Sequence, residues 1–395
     1  MKRVMLIFLV FITFSILNIN SKTNNIKKIK PQSSIKQTEM KALFVSYLEL
    51  NTYIKNQEKE KSQKNIETIV KNTKKNNFNT SILQVRSFDD AIYKTEQFPT
   101  SKSIVLEDNT SYDVLNFFIK ECKNKKIDLY IWINPFRITR ENENLIEDTY
   151  AYKMKDTRVV QKVNNAYYYN PSRYETSTHI IEGIKELIKN YQFKGILFDD
   201  YFYPNNDIDS EEYQEYLNKN KEISESEYHL QTINNIIKKV YKSIKKENKS
   251  IEFGISPDGN IDNNYDKNYA DVKTWCSKNG YIDFIMPQLY YGFFNTTRPY
   301  IDTMNNWDDL ITNKNIKLYY ALAFYKNGQE DDYAKDGKEE WVTNSDIIKK
   351  QVILARNTTN YKGFALFRYD SIFNKENYTQ NTIKEFNNLK SIITE

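Results

Sequence analysis

Two cysteines and two histidines are all that the 395-residue chain holds of either type. Cys122 and Cys276 stand far apart in segments of helical periodicity, so no disulfide framework is available and two buried thiols are expected. His179 and His229 belong to no ligand-spaced cluster, which leaves a structural zinc site or a His-centred nucleophile triad without support. No metal and no cofactor is expected. Glycine is scarce as well, at nine residues, and no glycine-rich phosphate loop of the dinucleotide or P-loop kind follows any candidate strand.

Charge of one sign is missing from most of the chain. The formal net charge is +5, yet residues 1–38 hold seven Lys and Arg and no acid, so the remainder carries 50 basic against 52 acidic residues. No basic stripe is left to track a phosphate backbone, and no nucleic-acid partner is expected. Long apolar runs are confined to one place. Lys2 and Arg3 precede the apolar residues 4–17, and polar residues follow, which is the layout of a secretory signal and short for a membrane span. Residues 1–21 are therefore expected to be a signal peptide or an N-terminal membrane anchor, and residues 22–40 a polar, basic linker. The protein is expected to be secreted, or attached to the outer face of the cytoplasmic membrane or the cell wall.

What the sequence has in quantity is aromatic residues, at 14%, within a hydrophobic content of 39%, a composition that can build a core. Along residues 41–395 apolar segments alternate between strand-like and helical spacing. Strand-like runs fall at residues 42–48, 80–86, 127–134, 195–199, 251–257, 282–288, 317–324 and 363–368. Helical patterns separate them; at residues 175–190, for example, Ile180, Ile181, Ile184, Leu187 and Ile188 recur at helical spacing. Eight such units with no long linker between them predict an α/β fold, a single (β/α)8 TIM barrel over residues 41–395.

In such a barrel the C-terminal strand ends share one face. That gathers Gln84 and Arg86, Trp132, Asn134 and Arg137, and Asp199, Asp200, Tyr201 and Tyr203 on one rim. Asp258, Asn260, Gln288, Tyr290, Tyr291, Tyr325, Arg368 and Asp370 join them. Amides and charged groups pair with sugar hydroxyls, and ring faces stack on sugar C–H faces, so a polysaccharide is the partner this mixture fits. Cleaving a glycosidic bond needs two carboxyls and no cofactor. The densest point is KGILFDDYFYP, residues 194–204, a short apolar strand with two carboxyls at its tip. Successive strand residues point to opposite faces. One of Asp199 and Asp200 should therefore face a pocket, and the other should be held by backbone amides or a neighbouring base. Asp283 lies at the start of its strand and belongs to the opposite, stabilising end.

Taken in order, Gln84-Val85-Arg86, Asp90-Ala91-Ile92-Tyr93, Pro99-Thr100-Ser101 and WINPFR at residues 132–137 begin a series of motifs. It continues with GILFDDYFYP at 195–204, FGISP at 253–257, DFIMPQLY at 283–290 and GFALFRY at 363–369. The ordered set resembles the family 10 glycosylhydrolase-like proteins, over residues 41–372. The resemblance implies a TIM barrel acting on an envelope polysaccharide, since the family includes a member that cuts peptide-stripped peptidoglycan glycan strands. It also implies that Asp199 stands where retaining barrel glycosidases carry their fourth-strand nucleophile; a second carboxyl, Asp200 or Asp258, is then expected to be the proton donor. The chain departs from the family at Asp258-Gly259-Asn260, where Phe-Gly is common after Ser-Pro, and at Tyr290-Tyr291, where Tyr-Trp is usual. Two other readings fit the same residues: a non-catalytic glycan-binding barrel, and a hydrolase of another exported amino-sugar polysaccharide. Loss of both aspartates separates the first of these from an enzyme, and a substrate panel separates the second.

Overall fold

Strand and helix alternate through the whole of the folded chain, whose computed structural model describes residues 39–219, 222–374, 376 and 379–394. The expected signal or anchor segment, and the linker as far as residue 38, lie outside the described residues.

Seven uninterrupted strands, Met40–Val45, Thr80–Arg86, Asp128–Ile133, Gly195–Phe198, Glu252–Ile255, Lys317–Leu322 and Tyr361–Leu366, make up most of a parallel ring. The sixth position in the ring is filled by a strand in two pieces, Phe284–Ile285 and Gln288–Leu289. Proline has no N–H to give a ladder, and the break falls at Met286-Pro287, after which the strand pairs with Ala321 and Leu322. The ring closes where the first strand meets the eighth, with Met40 opposite Gly363 and Leu43 opposite Leu366. The expected (β/α)8 barrel is the fold observed.

Period-2 alternation divides the apolar side chains between two cores. Residues of one parity, among them Ala42, Phe44, Ile82, Tyr130, Leu197, Phe284 and Ala365, fill the barrel interior. Their neighbours of the other parity, such as Leu43, Leu83, Ile131, Ile196 and Phe198, pack outward against the helices. Two interior positions have to be glycine. A Cβ on Gly195 would lie 2.5 Å from the Tyr130 ring, and one on Gly254 would lie 2.4 Å from the Phe284 ring. Their absence lets Tyr130 and Phe284 meet edge to face, with centroids 5.6 Å apart, and plug the lower barrel. Below them Glu252 accepts from the Tyr130 hydroxyl and pairs with Lys317. Asp283 is structural as expected: it accepts from the Phe253 amide at 2.8 Å and pairs with Lys245 at 2.7 Å.

Helix Glu225–Glu247 shows how the outer layer forms. Ser224 caps its first turn by accepting from the Glu227 amide, Lys245 and Lys246 sit in its last turn, and Ile233, Ile236, Ile237, Val240 and Ile244 make one buried face. Cys122 and Cys276 are free and buried in this layer. Two local readings need correction. The first strand ends at Val45, and Tyr47 and Leu48 open helix Tyr47–Tyr53. Ser46 and Glu49 form a capping box there, which overrides the β-like apolar run. After the third strand an antiparallel hairpin, Val160–Val163 with Ala166–Tyr169, is inserted. Its strands are four residues long and turn through Asn164 and Asn165, both at positive φ, too short a pattern for periodicity to detect.

Candidate active site

The site follows from the parity of two neighbouring strands. Tyr130 faces into the barrel, so Trp132 and Asn134 continue on that side; Leu197 faces in, so Asp199 does too. Trp132 is in register with Leu197, which brings Asn134 level with Asp199. Trp132 Nε1 donates to Asp199 Oδ2 at 2.9 Å, and Asn134 Nδ2 donates to Oδ1 at 3.0 Å and Oδ2 at 3.2 Å. Asn134 has no freedom to flip, because its Oδ1 accepts the backbone N–H groups of Phe136 and Arg137. The amide must therefore present its NH2 to the carboxylate. Asp199 is only 4% exposed. Burial pushes its pKa up to about 6, against the lowering effects of the Trp132 bond, the Arg137 charge and the Asn134 bond.

Asp200 follows where the chain leaves the strand in a bend, and it is half-buried. Gln288 Nε2, which also donates to the Ser256 carbonyl at 3.0 Å, reaches Asp200 Oδ1 at 3.2 Å. Burial, then the charge of Asp199 and then that of Asp258, push the Asp200 pKa up to about 7. Two adjacent carboxyls are thus held in unlike ways: one gripped by three hydrogen bonds from two side chains, the other more exposed and readily protonated. The aromatic wall above them is continuous. Phe367 packs against Phe44 and Trp132 with centroids 5.6 and 6.4 Å away, and against Tyr290 and Tyr325 at 5.8 and 6.0 Å. Tyr201 stands 56% exposed at the edge.

Asp258 is close to Asp200 but already engaged. It accepts from the Asn260 amide at 2.8 Å, Asn263 Nδ2 at 2.9 Å and the Tyr291 hydroxyl at 3.3 Å. Trp307, fully buried, fixes the same loop by donating to the Gly259 carbonyl. Arg137 stands at the mouth, its guanidinium 4.7 Å from the Phe88 ring centroid and 5.1 Å from that of Tyr201. Gln84 is buried next to Trp132 in register and accepts from the Tyr47 amide.

Three of the expected rim residues lie elsewhere. Arg86 comes after an irregularity in the pairing of the second strand and is buried, its guanidinium 3.7 Å over the Phe98 ring and 3.9 Å from Asp89. Tyr203 turns under the loop, donates to Asp209 at 2.9 Å and packs on His229. Asn260 is buried as the N-cap of helix Ile261–Asp266, accepting from the Asp262 amide. These are scaffold roles. Conversely, sequence reasoning missed Glu49, a buried carboxylate that pairs with Arg368 and accepts from the Ser46 amide at 2.8 Å. The Ser46-x-x-Glu49 capping box was the available signal. It also missed Phe44, Phe88 and Phe367, which looked like ordinary apolar residues. Among the described residues no group of three or more His, Cys, Asp or Glu side chains is arranged to hold a metal ion.

Comparison with known proteins gives the family. The profile of the family described as Glycosyl hydrolase-like 10 matches residues 39–340. The chain belongs to that family. Glycosyl hydrolase YngK of Bacillus subtilis (strain 168) is 29% identical over 330 residues, covering 77% of this chain and 62% of YngK. The chain thus spans less than two thirds of that relative's length. Glycosyl hydrolase DigH of Escherichia coli (strain K12) is 27% identical over 323 residues, covering 74% of this chain and 72% of DigH. Among solved structures, the PgaB (BpsB) glycoside hydrolase domain from Bordetella bronchiseptica superposes with a TM-score of 0.60 at 12% identity, covering 89% of this chain and 99% of the domain. Alpha-L-fucosidase isoenzyme 2 from Paenibacillus thiaminolyticus gives 0.51 at 9% identity, covering 90% of this chain and 49% of the fucosidase. At such identities the family member and these two structures share a fold.

Proposed function

We propose that this member of the glycosyl hydrolase-like 10 family is an exported glycoside hydrolase that cleaves cell-wall glycan strands by a two-carboxylate mechanism. The observation that carries the reading is the unequal pair at the fourth strand tip: Asp199 pinned by Trp132 and Asn134, and Asp200 beside it with its pKa up at about 7. Near neutral pH Asp199 is largely ionised while about half of Asp200 keeps its proton. Asp200 gives that proton to the glycosidic oxygen as the C–O bond breaks, and Asp199 attacks or stabilises the positive anomeric carbon. The ionised Asp200 then takes a proton from water as its oxygen bonds to the anomeric carbon, which restores both carboxyls. Asp258 is the weaker candidate for proton donor, since three donors already engage it.

The partly exposed Trp132, Tyr290 and Phe367 supply ring faces for sugars, which supports a polysaccharide substrate. Two glycosyl hydrolases among the relatives support the reaction class. The basic pair and apolar run of residues 1–21 support export to where cell-wall glycan is found. The test is to incubate the purified protein with intact and amidase-treated sacculi and to identify products by mass. New reducing ends are expected. Binding to sacculi without any release, by the wild-type chain, would establish the glycan-binding barrel in its place.

A further inference from the structure

Arg137 carries a charge that forms no direct ion pair among the described residues, although it acts on Asp199 through space and lowers its pKa. Its guanidinium makes no ion pair or side-chain hydrogen bond among the described residues; its neighbours are the rings of Phe88 and Tyr201. Its backbone is fixed twice, by donation to Asn134 Oδ1 at 2.9 Å and by a bridge to Tyr168 on the hairpin. It is therefore held in place and half-buried rather than splayed into solvent. Arg140, three residues further along the same loop, stacks on Phe88 and Tyr47 but differs in having Glu143 at 3.5 Å. A guanidinium removed from much of its water, flanked by aromatic faces and meeting Asp199 only through space, has a planar fork of donors with no bonded partner among the described residues.

We propose that Arg137 is the anion anchor of the site and pairs with a carboxylate carried by the glycan, adjacent to the sugar that sits over Asp199. This rests on the hydrolase reading above and narrows its substrate class to acidic glycans. A carboxylate suits the position better than a phosphate. Asp199 and Asp200 lie on the same mouth, and a second negative charge on the ligand would be repelled by both. The exposed Tyr201 ring then offers a face to a sugar while the guanidinium sets which sugar lies at the cleavage point. Two sources carry such a group in wall glycan: a carboxylate on the sugar itself, and the carboxyl end of a peptide attached to it.

The experiment uses the full chain with Asp199→Asn, so that binding is read without turnover. Calorimetry compares three muramyl oligosaccharide probes: with a free lactyl carboxylate, with that carboxylate converted to its methylamide, and with a short peptide on it. Loss of a charge-assisted bidentate pair predicts that the free carboxylate binds about 10- to 100-fold more tightly than the methylamide. Adding Arg137→Gln should remove that preference, and Arg137→Lys should keep part of it. A peptide probe that binds like the methylamide assigns the anion to the sugar; one that binds like the free carboxylate assigns it to the peptide. Equal affinity for carboxylate and methylamide, a preference that survives Arg137→Gln, or no binding of any probe would overturn the proposal. Should the preference be found while the wild-type chain cuts none of these glycans, the anchor stands and the hydrolase reading fails.

Discussion

Replacing Trp132 by Phe removes the hydrogen bond to Asp199 and trims a ring packed on Phe44 and Phe367, and the effect of the lost bond on the pH profile can be worked out. In the proposed mechanism the productive state has Asp199 ionised and Asp200 protonated, so activity should be bounded by an acid limb near 6 and an alkaline limb near 7. Those limbs belong to the coupled pair and predict a narrow bell, with about 60% of molecules productive near pH 6.5 and about 9% at pH 5 or pH 8. The Trp132 bond lowers the Asp199 pKa, so removing it moves the acid limb upward. A hydrogen bond to a charge, with Asn134 still in place, contributes about 1.5 kcal/mol, or about one pH unit. At pH 6 the productive fraction then falls from about 48% to about 9%, roughly fivefold, while at pH 8 it does not change. The assay is kcat/KM on a soluble dye-labelled glycan at both pH values. Their ratio cancels any pH-independent loss from altered packing. The wild-type ratio should be about 5 and that of Trp132→Phe about 1. An unchanged ratio in the variant, or a flat wild-type profile from pH 5 to 8, would refute the assignment of ionised Asp199 and protonated Asp200.

Asp200→Asn should stabilise the fold on the alkaline side. Burial holds the folded pKa above the ordinary carboxylate value, so the stability it contributes is present at low pH and lost as pH rises through about 7. Thermal midpoints of variant and wild type should coincide at pH 4, and the variant should melt higher at pH 8. Gly195→Ala drives a methyl to 2.5 Å from the Tyr130 ring and 2.9 Å from the Glu252 carbonyl. It should lower stability in urea by about 2 kcal/mol or more, through overpacking of the barrel interior. Arg368→Ala leaves the fully buried Glu49 without its cation and should cost about 3 kcal/mol in the same measurement.

The barrel was legible because parallel strands covered on both faces are apolar runs bounded by helices, and the eight runs appear in sequence order. The two central carboxyls were legible for a related reason: charge at the end of an apolar strand is conspicuous. What escaped depended on local competition or on three-dimensional neighbours. Tyr47 and Leu48 have strand-like side chains, but Ser46 and Glu49 satisfy each other's backbone and start a helix. Arg86 and Tyr203 sit near strand ends like true rim residues, yet a shift in pairing and a turned loop bury them. Phe367 and Phe88 joined the site through neighbours from distant strands and loops, information that one-dimensional periodicity does not contain.

In the proposed mechanism the Asp199 carboxylate attacks or stabilises the anomeric carbon of the glycan. The most direct measurement is the rate at which Asp199→Asn, with wild-type circular dichroism, generates reducing ends from amidase-treated sacculi. Loss of a group at the reacting carbon predicts a rate lower by about 1,000-fold or more. A rate within about tenfold of wild type would contradict the account, since no more than about 1.4 kcal/mol of the barrier could then depend on that side chain.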